Sequence, residues 1–470
     1  MPENPSTHEE GVSGTRTVRR LRRAVGGLLQ GPRGIDPTGK TDYTWDKAGR
    51  LDYLTAPDGK KTDFDYNDND KRTKTVYPSG TTESLTIDDN GRPEAIKTTS
   101  GTTALIDLAY GYKNTAGKDT TKIRTRTDNL TTYKTTYDYD SQDRLRYALE
   151  ADSAGARKAS WLYCWDKAGN LTSQDGSKSA CPGGTTYTYD NASELTGKNG
   201  STTGWSYDKL GNETAAASGT ARTGESWTDY SQLSGITAGG KTYDLVHAGT
   251  SNSERTKLGS TWFHHTALGL ASTTTNGVDT GFIREPAGTL NSMTTGGKSY
   301  YYLTDATGNV LGLVDDAGKR THTYAYGPTG LPRGTTTEAT PQPHRYTGAY
   351  LDPTGLYKMG HRYYDPTLGR FTQPDPSGQE TNPYLYAAGD FINNSDPTGL
   401  FSLSDALDTG EKIFSAATGC LAGVGAAGES GILTAATGFF GAPGGVAAGV
   451  LACGAGAGAA LIGADIISYG

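Results

Sequence analysis

The sequence predicts a mainly β protein, made of short hairpins that join into one long coiled antiparallel sheet. Only 34% of its 470 residues are apolar, which excludes a thick aliphatic core. Its 29 Tyr outnumber its 9 Phe, and its 65 Gly are about twice the usual share of ~7%. This composition favours strands faced with Tyr, Thr and Trp and joined by Gly and Asp turns. A third observation is an aromatic-Asp motif that recurs about every 20 residues.

Most repeat units open with an aromatic or aliphatic residue, which is followed by Asp or Asn. The first three units open 21 residues apart, at Trp45, Tyr66 and Ile87. In a unit, an extended run ends at the Asp, whose carboxylate can bond backbone N–H groups ahead, and a Gly supplies positive φ. The unit is therefore a β-hairpin, which must pair with its neighbours because it cannot bury a face alone. Later units open at Tyr139, Trp165, Tyr189, Tyr207, Thr304 and Asp315.

Residues 1–35 are predicted to form a disordered basic arm. Equally, Met1 could correspond to a start codon inside a longer reading frame. An arm that binds nucleic acid or a membrane surface is the alternative that we favour less. The run AVGGLLQG after its Arg cluster is too short and too glycine-rich for a secretory signal peptide. The formal net charge of −7 gives no case for nucleic-acid binding over the whole chain. The cluster consists of Arg16, Arg19, Arg20, Arg22 and Arg23.

Residues 36–299 are predicted to form the repeat sheet. Cys164 and Cys181 flank one turn region, where a disulfide and two free thiols both remain open. No C-x-x-C pair occurs, so zinc is not expected. His264 and His265 could ligate a metal or act as a base, but adjacent strand residues point to opposite faces and no acidic or Cys set accompanies them. We therefore favour a structural role for both and predict no metal site and no cofactor.

Residues 300–400 close the repeat region with a high density of Tyr, Gly, Asp and Pro. The stretches RYYDPTLGRFTQPDP and NPYLYAAGDFINNSDPTGL resemble the core-terminating domain, the Rhs-associated core, of the Rhs (rearrangement hotspot) family. The preceding units resemble that family's YD repeats, so the resemblance covers residues 36–400. The family includes the C components of Tc toxin complexes and the teneurins. The resemblance implies a strand ribbon wound into a partial or complete shell, which encloses a polypeptide encoded after the core.

Four Asp-Pro pairs lie in this closing segment. Because a residue before Pro is pushed toward extended geometry, their carboxylates are expected at strand ends or turns. Two carboxylates within about 3–5 Å cannot both ionise easily, so one can deprotonate water while the other protonates the carbonyl or the leaving amine. Asp-Pro-x-Gly is also a good turn sequence, so a purely structural role stays open. The four are Asp352, Asp365, Asp375 and Asp396.

The resemblance also implies that the core cuts its own chain after the sequence DPTGL at 396–400. It places the acid–base pair on Asp375 and Asp396 and implicates Arg362, which would hold one carboxylate ionised. If the chain is an enzyme, it is an intramolecular self-cleaving peptidase of the aspartic type. The bond that would break joins Leu400 to Phe401.

Residues 401–470 are predicted to be a separate, variable tail, with a short helix over 402–417 and a Gly/Ala-rich hydrophobic part. No charged residue occurs from 431 to 464, and the run after Pro443 is long enough to span a bilayer if helical. The tail is interpreted first as membrane-active. Two alternatives are the first part of a longer toxin and a hydrophobic client kept inside a shell.

The first functional hypothesis is a secreted or cell-surface bacterial protein that encapsulates its own C-terminal tail, releases it by self-cleavage and delivers it as a toxin. Its expected partners are the enclosed tail, secretion machinery and an immunity protein, with membrane contact through residues 431–464 and no nucleic acid. One alternative is a non-catalytic adhesion protein built of YD repeats. The other is a degenerate fragment of a larger gene.

Overall fold

A computed structural model describes residues 39–216, 222–250 and 252–400, and in these ranges the fold is almost entirely antiparallel β. Strands pair in sequence order, each with the one before and the one after it, in sheets of 14, 2, 12 and 4 strands. Two single-turn 3₁₀ helices, Tyr346–Gly348 and Ala387–Gly389, are the helical segments of the described chain. The predicted fold of coiled, hairpin-built β-sheet is confirmed, while the predicted helical tail lies outside the described residues.

The first sheet runs from β1 to β14. Its strands are β1 (Asp42–Trp45), β2 (Leu51–Thr55), β3 (Lys61–Tyr66), β4 (Arg72–Val76), β5 (Thr81–Ile87), β6 (Pro93–Ser100), β7 (Thr103–Gly111), β8 (Thr125–Asp128), β9 (Tyr133–Tyr139), β10 (Leu145–Ala151), β11 (Arg157–Trp165), β12 (Leu171–Asp175), β13 (Thr185–Tyr189) and β14 (Leu195–Lys198). The short hairpin that follows is β15 (Ser206–Tyr207) and β16 (Glu213–Ala215).

The second long sheet runs from β17 to β28. Its strands are β17 (Arg222–Trp227), β18 (Leu233–Ala238), β19 (Lys241–His247), β20 (Arg255–Leu258), β21 (Thr261–Thr266), β22 (Gly269–Thr275), β23 (Val278–Arg284), β24 (Leu290–Thr295), β25 (Lys298–Thr304), β26 (Val310–Asp315), β27 (Arg320–Thr323) and β28 (Thr337–Glu338). The closing sheet is β29 (Tyr350–Leu351), β30 (Tyr357–Met359), β31 (Arg362–Asp365) and β32 (Arg370–Phe371).

In the first repeat unit, Asp46 organises the turn with both carboxylate oxygens. Oδ1 of Asp46 accepts hydrogen bonds from the backbone N–H groups of Ala48 and Arg50, each at 2.9 Å, and Oδ2 accepts one from Nε of Arg50 at 2.8 Å. Gly49 takes the left-handed conformation with φ 79°. In four other units a non-Gly residue adopts this conformation, which short polar side chains tolerate because they can bond the backbone locally. These residues are Asp70, Asp143, Ser193 and Ser231.

The aromatic residue of each unit ties neighbouring units together. The hydroxyl of Tyr66 donates to the backbone oxygen of Leu51 at 2.9 Å, and that of Tyr189 donates to Leu171 at 2.8 Å. In both cases the acceptor is the first residue of the return strand in a preceding unit, and its own side chain is buried. The ring thus covers apolar surface while its hydroxyl bonds a backbone oxygen of a neighbouring unit. This geometry explains why the sequence uses Tyr rather than Phe.

The closing sheet packs against the buried faces of both long sheets. One core cluster joins Leu145 and Leu171 of the first sheet to Tyr364 and Tyr386 of the closing segment. A second cluster joins residues of the second sheet, such as Leu313, to the closing segment. The two long sheets also contact each other directly, through clusters that include Leu108 with Val314 and Leu54 with Ile283, among others. The segment from 346 to 391 therefore forms the core on which the sheets are assembled.

The structure shows the state of Cys164 and Cys181 and the place of the predicted boundary at residue 300. Cys164 and Cys181 form a disulfide, with 6.0 Å between their Cα atoms. The predicted division between repeat sheet and closing domain at residue 300 falls within strand β25 (Lys298–Thr304), and the second sheet continues to Glu338. The predicted domain scheme otherwise stays a prediction, because the basic arm and the tail lie outside the described residues.

A buried cluster of charges fixes β31 to the second sheet. Arg222 donates to Glu213 at 2.8 Å, to Glu225 at 3.1 Å and to Asp365 at 2.7 Å, so one cation faces three carboxylates. Burial, and then the repulsion from Glu213, raise the pKa of Glu225 above its ordinary value, although Arg222 acts in the opposite direction. The Oε2 atom of Glu225 is buried and has no hydrogen-bond partner. This cluster therefore carries one negative charge that its surroundings disfavour.

We expect Glu225→Gln to stabilise the protein at neutral pH by about 1 kcal/mol, because it removes that charge and keeps the shape of the side chain. A carboxyl group with a raised pKa in the folded state contributes stability that is fully present below its unfolded pKa and is lost as the pH rises. The advantage of the variant should therefore be absent near pH 4.5 and grow toward pH 7.5. Urea unfolding across this range measures it, with exposed Glu94→Gln as the control. An advantage that does not depend on pH would contradict the assignment.

Candidate self-cleavage site

The candidate site lies at the end of the closing segment, on a tyrosine-rich core. The rings of Tyr346, Tyr357, Tyr364 and Tyr386 pack against one another, with 4.3 Å between the centroids of Tyr364 and Tyr386. The hydroxyls of Tyr357 and Tyr364 donate to backbone oxygens of the loop between β27 and β28, at 3.0 and 2.8 Å. These two buried hydroxyls help to hold that loop in one arrangement, because each has a defined backbone partner.

The last described residues lie directly against the turn between β30 and β31. The backbone N–H of His361 donates to the carbonyl oxygen of Thr398 at 2.8 Å. A Cβ placed on Gly399 would overlap the carbonyl oxygen of Met359 and come within 2.8 Å of the backbone nitrogen of Arg362. Gly399 also has φ 65°, so both the space and the backbone conformation require glycine. The sequence 396–400 is therefore held by backbone contact.

Arg362 is the centre of the site. Its side chain is fully buried at 0% exposure, with the guanidinium 3.6 Å from the ring centroid of Phe371. Nε donates to the backbone oxygen of Gly399 at 2.6 Å, and Nη1 donates to that of Pro383 at 3.0 Å. Nη2 donates to Oδ2 of Asp396 at 2.9 Å. One side chain therefore fixes the carboxylate and the backbone of the segment that would be cut.

Asp396 is buried beside the end of the described chain. Its Oδ1 accepts hydrogen bonds from the N–H groups of Gly399 at 2.8 Å and Leu400 at 3.3 Å, and from the hydroxyl of Thr398 at 3.1 Å. Burial raises the pKa of Asp396 above its ordinary value, while Arg362 and the hydrogen bonds from Thr398 and Gly399 act in the opposite direction. A raised pKa makes the ionised carboxylate a stronger proton acceptor.

Asp375 is held differently, by hydroxyl and backbone donors. Its Oδ1 accepts from the N–H of Ser377 at 2.9 Å, and its Oδ2 accepts from those of Gln379 at 3.0 Å and Glu380 at 3.2 Å. The Ser377 hydroxyl lies 2.8 and 2.7 Å from the two carboxylate oxygens, and 2.7 Å from the carbonyl oxygen of Leu400. Asp375 thus reaches Leu400 through one hydroxyl group.

The structure therefore brings Arg362, Asp375, Asp396 and Leu400 together, and their catalytic roles stay a prediction. Asp396 bonds the N–H side of Leu400, and Asp375 connects to its carbonyl side. Phe401, the other half of the predicted scissile bond, lies outside the described residues. The sequence analysis missed Ser377; its signal was the Asp-x-Ser spacing, which also occurs in ordinary turns.

The other two Asp-Pro carboxylates also pair with buried Arg residues. Asp352 accepts two hydrogen bonds from Arg255, at 2.6 and 2.8 Å, and Asp365 accepts one from Arg222. A buried Arg partner is therefore a common property of these turns and does not by itself mark a reactive group. What distinguishes Asp396 is its contact with Leu400 and its position near Asp375.

The two adjacent histidines lie on strand β21 (Thr261–Thr266). Nε2 of His265 lies 2.9 Å from the backbone oxygen of Arg255, and burial lowers its pKa to about 4. His264 contacts Thr274 at 3.3 Å. Across residues 39–216, 222–250 and 252–400, no group of three or more His, Cys, Asp or Glu could hold a metal ion. Among the same residues, no helix has the length and apolar character that a bilayer crossing requires.

Residues 273–389 match the family described as Teneurin YD-shell. Three curated relatives show the level of similarity, and this chain spans less than a tenth of the length of each. The tRNA3(Ser)-specific nuclease WapA of Bacillus spizizenii is 37% identical over 124 residues, which are 24% of this chain and 5% of that protein. The toxin protein Tse5 of Pseudomonas aeruginosa is 37% identical over 108 residues, 21% and 8% of the two chains. The salivary gland surface protein 1 of Aedes aegypti is 36% identical over 132 residues, which are 27% of this chain and 4% of that protein.

The fold itself is similar to that of a chain in the structure of the Photorhabdus luminescens Tc holotoxin pore. The superposition has a TM-score of 0.59 at 16% sequence identity, and it covers 77% of this chain and 21% of the other. The shared feature is the fold of the β shell.

We expect Gly399→Ala to lower the free energy of unfolding by about 3 kcal/mol, because it adds overlap with backbone atoms to the strain of a left-handed residue. Gly355→Ala is the matched control: it lies in the same DPTG sequence with φ 84°, but nothing lies within 4 Å of its added Cβ. The control should cost only about 1 kcal/mol. Urea unfolding of both variants measures the difference, and equal costs would show that the segment is not held as described.

Proposed function

This chain is a YD-repeat protein of the Rhs type, and we propose that it encloses its own C-terminal tail and releases the tail by cutting the bond between Leu400 and Phe401. One observation carries the proposal. Asp396 contacts the N–H of Leu400, and Asp375 reaches the carbonyl oxygen of the same residue through Ser377. Two carboxyl groups that both reach Leu400 can divide between them the acid and base roles that peptide hydrolysis of the aspartic type needs.

The reaction is hydrolysis of one peptide bond by one water molecule. One carboxylate takes a proton from the water, whose oxygen attacks the carbonyl carbon of Leu400 while the second carboxyl group protonates the carbonyl oxygen. The tetrahedral intermediate then collapses as the nitrogen of Phe401 takes a proton and leaves. Arg362 binds Asp396 directly and favours its ionised form, so the two carboxyl groups lie in different electrostatic environments. The substrate belongs to the same chain, so positioning replaces a binding step.

The released part would be the 401–470 tail, which we propose acts after delivery as a toxin. Relatives that are named as a nuclease and a toxin support this class of role. The uncharged run from 431 to 464 favours membrane contact as the mode of action of the tail. A secreted or surface location, with secretion machinery and an immunity protein as partners, belongs to the same proposal.

A non-catalytic surface protein is the second candidate. The similarity to the salivary gland surface protein 1 of Aedes aegypti supports it, because that protein's name assigns it to a surface and not to a toxin. In this alternative the closing segment is only the core of the sheet assembly, and the chain stays intact.

Intact mass of the expressed full chain separates the two candidates. We expect two products that divide after Leu400 in the wild-type protein, and one uncut chain in Asp375→Asn and in Asp396→Asn, because each variant removes one of the two proton-transferring groups.

Asp352→Asn is the matched control for this experiment, since Asp352 begins the other DPTG sequence and has its own buried Arg partner. This variant should still be cut after Leu400. A wild-type chain that stays uncut, or cutting that persists in Asp396→Asn, contradicts self-cleavage and favours the surface protein.

A further inference from the structure

The Ser377 hydroxyl occupies the gap between Asp375 and the carbonyl group that would be attacked. It lies 2.8 and 2.7 Å from the two carboxylate oxygens of Asp375 and 2.7 Å from the carbonyl oxygen of Leu400. We infer that Ser377 is a catalytic residue, which relays a proton from Asp375 to the carbonyl oxygen of Leu400. The inference rests on the proposed self-cleavage and assigns the two carboxyl groups to separate roles.

The position of the Ser377 hydroxyl supports this assignment. A carbonyl oxygen can only accept a hydrogen bond, whereas a hydroxyl group both donates and accepts. Asp375 has donors of its own, because it accepts hydrogen bonds from the N–H groups of Ser377, Gln379 and Glu380. The Ser377 hydroxyl is therefore available to donate to the carbonyl oxygen of Leu400, and it lies within 2.8 Å of Asp375, from which it can regain a proton.

The relay gives a balanced reaction. As the water oxygen bonds the carbonyl carbon, Asp396 takes a proton from the water, Ser377 passes its proton to the carbonyl oxygen of Leu400, and Asp375 restores the hydroxyl of Ser377. On collapse, Asp396 returns its proton to the leaving nitrogen and the carbon–nitrogen bond breaks. The proton on the former carbonyl oxygen returns through Ser377 to Asp375. One water is consumed, and all side chains end in their starting states.

The hydrogen bond between Ser377 and Asp375 alone would not carry this inference, because other turns of the chain contain it. In the loop after β12, Ser177 donates its N–H and its hydroxyl to Oδ1 of Asp175, at 2.6 and 2.8 Å. That turn has the same Asp-x-Ser spacing and is likewise exposed. The added contact with the carbonyl oxygen of Leu400 is what makes Ser377 different, so Ser177 provides the matched control.

The test follows the cutting of the full chain over time after a pulse of cell-free synthesis. We expect Ser377→Ala to slow cutting by about 100-fold or more, as does the loss of one donor to a developing oxyanion. Ser377→Thr keeps a hydroxyl and should cut within about tenfold of the wild type. Ser177→Ala loses an equivalent turn hydrogen bond and should cut at the wild-type rate. Thermal unfolding should show similar melting temperatures for Ser377→Ala and Ser177→Ala.

Rescue by the conservative variant separates a relay from a structural role. In a structural role the cutting rate would follow the melting temperature, whereas in the relay it follows the presence of a hydroxyl group at position 377. Unchanged rates in Ser377→Ala, or an equal loss in Ser377→Thr, would each overturn the relay while wild-type cutting still supports self-cleavage. A wild type that is never cut would instead remove the proposed function, and the relay with it.

Discussion

Buried pairs between an Asp-Pro carboxylate and an arginine hold the closing segment in place. Arg255 with Asp352 and Arg222 with Asp365 connect it to the second long sheet, and Arg362 with Asp396 binds β31 to the last described residues. Removing one partner of such a pair typically costs about 3–5 kcal/mol, because the remaining charge stays buried without compensation. These pairs fix where three of the four Asp-Pro turns of the closing segment lie.

Much of the fold follows from local sequence. An Asp at a turn, a residue that accepts positive φ and an apolar residue at the start of the return strand determine each hairpin, and all three can be recognised by inspection. The sequence could not indicate that β2 and β3 pack near Ile283, or that the segment from 346 to 391 becomes the shared core, because these contacts join residues far apart in the chain. It also could not decide the state of Cys164 and Cys181, which depends on the distance between two strands.

The candidate site shows the same division between local and distant information. Asp375, Asp396 and Arg362 were predicted through resemblance to a family, and their meeting at Leu400 needed the structure. Ser377 was not predicted, because the sequence of an Asp-x-Ser turn does not show whether a carbonyl oxygen lies beside the Ser hydroxyl. The turn at Asp396 could likewise not be separated from its copy at Asp352 by sequence, since both read DPTG and both hold an arginine.

Strand pairing in strict sequence order has a consequence for synthesis. Each hairpin can add to the one before it as the chain leaves the ribosome, without waiting for any later part. The closing segment is different, because its core needs inward-facing residues from both finished sheets, such as Leu171 and Leu313. Arg362, Asp375 and Asp396 are therefore expected to reach their final positions only after both long sheets have formed. Under the proposed self-cleavage, cutting therefore follows assembly, and a chain whose sheets are unfinished keeps its tail attached.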